Sequence, residues 1–165
     1  MRTHAMLLCT PAVIWLAACT PRPDPTLEAN KELFRQYVEA YNAKDIDRLD
    51  ALMTADFARH SQAASEVNSL EEFKADLRQG AEAFPDARME INMLVAEDDK
   101  IAGYLTWTGT QQGDWGPFPA TGETAELKFF YLFRVEDGKL AEMWTEWDNV
   151  GFLTQLGHFA PPEGT

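Results

Sequence analysis

One carboxylate, Asp148, stands at the end of an alternating run and directly before a short apolar helix pattern. Trp144 precedes it by four residues, so on a regular strand the two share a face. A carboxylate walled by aromatic rings loses hydration, and its pKa rises toward neutrality. A general acid/base for a carbon acid needs that, together with a donor for the developing enolate oxygen. Trp107 and Phe130 are further candidates for the wall, and Tyr131, Gln111 and His60 are the candidate donors. The chemistry implied is proton transfer by Asp148 and His60 on a small apolar carbonyl or ester compound.

Each residue also has a plainer role. Aspartate is a preferred N-cap, and Asp148 sits where a helix begins. His60 also fits a loop histidine bonded to a backbone carbonyl. Trp107, Phe130, Trp144 and Tyr131 serve a core as readily as a pocket wall. Arg134 on a sheet suits a salt bridge to a nearby glutamate. The alternation leaves a question open. Glu142 and Glu146 share the nominal face of Asp148, while Met143, Thr145 and Trp147 take the other. Either Glu146 also enters the pocket, or a bulge near Trp147 flips the register.

The elements that must position these groups are legible by period. Leu33, Phe34, Tyr37, Val38 and Tyr41 mark one face of a helix over residues 27–43. Asp45 caps a second, short helix with Ile46, Leu49, Leu52 and Met53 on one face. The run Ala55-Asp56-Phe57 breaks that pattern, and an irregular segment carrying His60 follows to about Val67. Ser69 and Glu72 form a capping box for a helix that buries Phe73, Leu77, Ala81 and Phe84, and Pro85 stops it. The period then changes to two. Met89, Ile91, Met93 and Val95 alternate, then Ile101, Gly103, Leu105 and Trp107. Residues 109–122 are rich in Gly and Pro and read as a loop or bulged strand end. Residues 125–135 form a long strand apolar on both faces, which predicts cover on both sides. Asp137-Gly138 turns it back onto an antiparallel strand reaching Trp147. Helices followed by four antiparallel strands predict an α+β domain. A long twisted sheet of this kind, with helices on one face, curls into a cone around a pocket.

Residues 1–18 read as a signal segment. Arg2 gives a positive start, and residues 6–18 are apolar but too short to span a bilayer. They end Leu16-Ala17-Ala18-Cys19, which resembles the lipobox of bacterial lipoproteins. That resemblance implies cleavage before Cys19 and acylation of its thiol and its new amine. Several acyl chains anchor a protein firmly. The expected location is the bacterial cell envelope, lipid-anchored and facing the periplasm or the exterior. Residues 19–26 are the lipidated cysteine and a proline-rich tether, 27–157 the domain, and 158–165 a fraying tail.

The net charge of −13 argues against nucleic acid and against anionic headgroups as electrostatic partners. The two cysteines, Cys9 and Cys19, both precede the domain, so neither a cysteine nucleophile nor a disulfide is expected within it. His60 and His158 are the histidines beyond the signal segment, and no His-x-x-x-His motif occurs, so no metal is expected. There is no Gly-x-Ser-x-Gly elbow, phosphate loop or dinucleotide fingerprint.

Four stretches carry a family likeness: Tyr37–His60, with a Tyr-Asn helix end, an acidic second helix and Asp56-Phe57 followed by His60; Phe84-Pro85-Asp86; Gly109-Thr110 with Gly113 and Pro119-Ala120-Thr121-Gly122; and Phe133-Arg134 through Asp137-Gly138-Lys139 to Glu142, Trp144, Asp148 and Gln155-Leu156-Gly157. In this order and spacing they resemble the SnoaL-like polyketide cyclase (ester cyclase) family, within the nuclear-transport-factor-2-like superfamily. The resemblance implies a cone fold and a pocket free of metal and cofactor. It implies an aspartate acid/base for intramolecular aldol closure, which maps onto Asp148, and a pocket histidine, which maps onto His60. Gln111 and Tyr131 stand where relatives commonly carry histidine. Those two losses, and a membrane tether, motivate a second reading: a non-catalytic module that holds a small hydrophobic ligand. The superfamily also implies a homodimer through the sheet.

Overall fold

The computed structural model describes residues 24–160. The signal segment, the acylation site Cys19 and the stretch 20–23 lie outside the described residues. Helix α1, Pro25–Ala43, begins two residues earlier than its period predicts. The Asp24 carboxylate accepts the Thr26 N–H at 2.8 Å. Pro25 fits the first turn because the N–H it lacks would have no helical partner there. A 3-10 turn, Ile46–Arg48, is capped by Asp45 and runs into the one-turn helix α2, Leu49–Leu52. Helix α3, Leu70–Ala83, starts at Ser69, whose hydroxyl accepts the Glu72 N–H. The Glu72 carboxylate reaches back past the cap to the Asn68 N–H at 2.8 Å, one residue before the N–H that a regular capping box uses.

Five strands form one curved, unclosed sheet in the order β1-β5-β4-β3-β2. The expected antiparallel meander is β2 (Arg88–Glu97), β3 (Lys100–Thr110), β4 (Thr124–Glu136) and β5 (Lys139–Glu146). Asp137 and Gly138 both take positive φ, 49° and 75°, as a two-residue hairpin of the observed hand requires. The fifth strand corrects the sequence reading. Residues placed there in a helix end and an irregular loop form β1, Met53–His60, parallel to β5. Its register shifts between Met53 and Ala58, and that irregularity breaks the period-two signal.

A second correction concerns β2. A bulge between Ile91 and Met93 flips the strand, so Met89, Ile91 and then Leu94 face the helices. Met93 and Val95, which alternation alone puts on the buried face, are 55% and 52% exposed on the other side. The core fills the space between α1, α3 and the concave face. Phe34 and Tyr37 of α1 set their rings edge-on to Phe133, each 5.3 Å away. Gly103 lies under the Phe34 ring, where any Cβ would collide. Asn42 at the end of α1 bonds both the N–H and the C=O of Met89, satisfying backbone at the sheet edge.

Helix α4, Asn149–Gln155, closes one end. The tail begins more firmly than its composition predicts. His158 bonds Gln111 Oε1 at 2.8 Å and packs against Phe118, and Phe159 also meets Phe118. Among the described residues no helix is long and apolar enough to cross a membrane.

Candidate active site

The strand alternation of β5 decides what enters the interior. Met143 and Thr145 are buried on the concave face, and Trp147 follows them inward. Glu142, Trp144 and Glu146 therefore point to the convex face. No bulge flips the register near Trp147, and Glu146 stays outside, exposed and accepting the Gln62 N–H at 2.7 Å.

The concave face, α3 and α4 enclose a cavity of about 170 Å³. Its wall is aromatic: Phe73, Phe84, Trp107, Phe129, Tyr131 and Phe152, with Trp115 from the loop between β3 and β4. Phe84, Trp107 and Phe152 meet pairwise at 5.2–5.8 Å, so the wall is a packed cage. Trp107 Nε1 donates to the Tyr41 hydroxyl at 2.7 Å, which fixes both rings. Burial lifts the Tyr41 phenol to about 12 and pushes Tyr131 and Tyr37 above the ordinary tyrosine range. All three stay neutral donors at any physiological pH.

Among the described residues one carboxylate lines this cavity, Asp76 of α3. It forms an ion pair with Arg59 of β1, a residue 5% exposed whose guanidinium also donates to the Ser65 carbonyl at 2.7 Å. The Arg59 guanidinium lies 5.7 Å from the Phe73 ring centre. The Asp76 side chain is 45% exposed, so the pair stands where the cavity opens to solvent. A buried arginine without an anion would be costly, and Asp76 supplies it. The sequence reading missed both residues. Phe73, Asp76, Leu77 and Gly80 stand at i, i+3, i+4 and i+7, a single helix face, so an acid on that stripe was the available sign. Arg59 follows Phe57 at period two, but only once β1 is known to be a strand.

The site residues named from sequence divide sharply. Trp107 and Tyr131 line the cavity. Asp148 does not: it is exposed and caps α4, accepting the Gly151 N–H at 2.8 Å. The free N–H groups of a helix start claim a nearby carboxylate, and the inward face of β5 is the odd-numbered one. His60 also lies outside the cavity. It bonds Glu142 Oε1 at 2.9 Å and stacks on Trp144 at 5.3 Å, on the convex face. Trp144 and Phe130 share that face; Phe130 is 57% exposed and stacks on Tyr104. Gln111 is fully buried, but its amide is spent on the Phe118 and Pro119 carbonyls, Thr121 and His158. It organises the loop and touches no cavity. Arg134 bonds Glu142 and Glu136, each at 2.9 Å, the salt bridge expected of an arginine on this sheet. Among the described residues no three His, Cys, Asp or Glu side chains converge as metal ligands.

A curved five-stranded sheet folded over helices around an interior pocket defines the nuclear-transport-factor-2-like class of α+β proteins. Within it, residues 31–156 match the SnoaL-like polyketide cyclase family, and the chain belongs to that family. Similar solved structures include TsrD from Streptomyces laurentii, at 28% identity and TM-score 0.73 over 84% of this chain and 100% of that one. IdmH from Streptomyces antibioticus, assigned as a polyketide cyclase, shares 26% identity and TM-score 0.68 over 78% of this chain and 98% of that one. An epoxide hydrolase from M. tuberculosis shares the fold at 14% identity and TM-score 0.66, covering 80% of this chain and 92% of that one. A comparison with curated proteins finds no match.

Proposed function

We propose that this protein is an enzyme of the cyclase or hydrolase kind, moving a proton on a small apolar carbonyl or ester compound. Asp76, rather than Asp148, is its acid/base. The observation that carries this is the aromatic cavity whose one lining carboxylate among the described residues is Asp76. Arg59 pairs with that carboxylate and aims it, and the neutral phenols of Tyr41 and Tyr131 are donors for negative charge developing on a substrate oxygen. The chemistry needs neither metal nor cofactor. Asp76→Asn should cut turnover of an ester or ketone substrate by about 10²- to 10⁴-fold while the cavity still binds ligand. If Asp148→Asn abolishes turnover and Asp76→Asn leaves it intact, the assignment is wrong.

A specific observation favours the non-catalytic reading as runner-up: the Asp76 carboxylate is already engaged by Arg59. A ligand that co-purifies unchanged, with no turnover by the wild type, would establish that alternative. We further propose that two copies pair through the convex sheet face. Met93, Val95 and Phe130, all more than half exposed, cluster there beside Tyr104 and Leu132. Lys128, Arg134, Glu142 and Glu146 rim the patch with both signs, which suits a self-complementary contact. Phe130→Asp should convert a dimer to a monomer in sedimentation, and a wild type that is monomeric at high concentration would remove the idea. Acylation at Cys19 places the domain at the cell envelope; Cys19→Ser should release it from the membrane fraction.

A further inference from the structure

Helix α3 and its C-cap residue turn one stripe toward the cavity: Phe73, Asp76, Leu77, Gly80 and Phe84 all line it. Phe73, Leu77 and Phe84 bring large apolar side chains to that wall, and Gly80 brings none. Glycine is a poor helix former beside alanine, because it leaves the unfolded chain more freedom to lose. Glycines elsewhere in the fold have a local reason. A Cβ at Gly103 would collide with the Phe34 ring, and one at Gly113 with the Glu82 carbonyl. Gly80 has no such reason. Its φ lies outside the left-handed region. Its carbonyl accepts the Phe84 N–H at 2.8 Å, an ordinary helical bond, so it does not break the helix. A Cβ at Gly80 would meet no atom within 4 Å.

The space in front of Gly80 belongs to the open side of the cavity. Asp76, one turn earlier on the same stripe, has a side chain nearly half exposed, and Gly80 and Leu77 are themselves part-exposed. The opposite end is closed by the buried rings of Phe84, Trp107 and Phe152. A cavity closed at one end and open at the other holds one end of a molecule and leaves its total length free.

Resting on the reading of this cavity as the small-molecule site, we propose that Gly80 is a specificity determinant that admits long ligands. The ligand is an elongated apolar carbonyl or ester compound. One end lies among Phe84, Trp107 and Phe152, and the rest crosses the α3 backbone at Gly80, beside Asp76, on its way to solvent. A side chain at this position would stand in that path. The glycine therefore gives up helix stability for room, and short ligands gain nothing from it.

Fluorine NMR titration of the full chain in detergent tests this with two probes. Fluoroacetophenone has one ring, and acetylfluorobiphenyl carries a second ring in line with the first. The wild type should bind both. Gly80→Leu should weaken the two-ring probe by at least about tenfold, as crowding of a filled space does, and leave the one-ring probe nearly unchanged. Gly80→Met should act in the same direction, so a folding failure of one variant leaves the other. Gly80→Ala should raise the thermal midpoint by a few degrees, because its methyl meets no neighbour. A lowered midpoint in Gly80→Ala overturns the proposal, since the glycine would then have a structural reason. Equal loss of both probes in Gly80→Leu, or no loss of the two-ring probe, overturns the role in admitting length. A wild type that binds the one-ring probe alone overturns the elongated ligand class. Binding of neither probe by the wild type removes the small-molecule site itself, which separates failure of the underlying reading from failure of this inference.

Discussion

The two faces of β4 and β5 are built from similar residues and live in opposite environments. Inside, Phe129, Tyr131, Phe133, Met143 and Thr145 are all below one-tenth exposed. Outside, Phe130, Leu132 and Trp144 alternate with them along the same strands, and Phe130 is more than half exposed. Helices α1, α3 and α4 cover the first face, and no described element covers the second. A strand apolar on both sides therefore does not by itself indicate a doubly covered sheet. One side is apolar because it folds, and the other is the face proposed above for pairing of two copies.

Substitutions can test that contrast, starting with the largest effect. Phe133→Ala on the inner face should cost about 3–5 kcal/mol in denaturant unfolding, against well under about 1 kcal/mol for Phe130→Ala on the outer face of a dilute monomer. Comparable losses at the two positions would dissolve the distinction. Alkaline pH attacks the buried side. The Tyr41 phenol ionises at about 12 in the fold against 10.0 in the unfolded chain, so its contribution is complete below pH 10 and is lost as pH rises through about 12. By full ionisation that loss is on the order of 2–3 kcal/mol. It should show as a falling urea midpoint between pH 9 and 12, together with delayed phenolate absorbance.

Asp148 lies on neither face, so Asp148→Ala should cost about 1 kcal/mol as a lost helix cap. Ligand affinity in the cavity should not change; a tenfold loss would bring Asp148 back into the site. The smallest effect belongs to the convex face. Arg134 first, then His60, holds the Glu142 carboxyl below the ordinary range. Its contribution is present above pH 4.5 and disappears as pH falls through the lowered folded value. Glu142→Gln should cost under about 1 kcal/mol at neutral pH and flatten the acid limb of a pH-stability curve.

The helices and the meander were readable because each carries a local period and a local stop. Ser69 with Glu72, Pro85, and Asp137-Gly138 name the ends of elements without reference to anything distant. Strand β1 was not readable, because its alternation is broken by a register shift and its partner lies some 80 residues later. The site failed with it. Once β1 is read as loop, Arg59 has no inward direction and Asp76 no reason to matter.

Fold class and family follow from periods, turns and motif order, which are properties of neighbours along the chain. The identity of the cavity carboxylate follows from which strand face turns toward the helices, and no short-range pattern encodes that. Alternation places Asp148 with Trp144 and Glu146, but it is silent on whether that side is the inside. The helices settled it by covering Met143, Thr145 and Trp147, because burial of the odd-numbered face against α3 and α4 leaves the even-numbered one to the exterior. Asp148 then had a nearer partner in the free N–H of Gly151, and Asp76 was left facing the cavity.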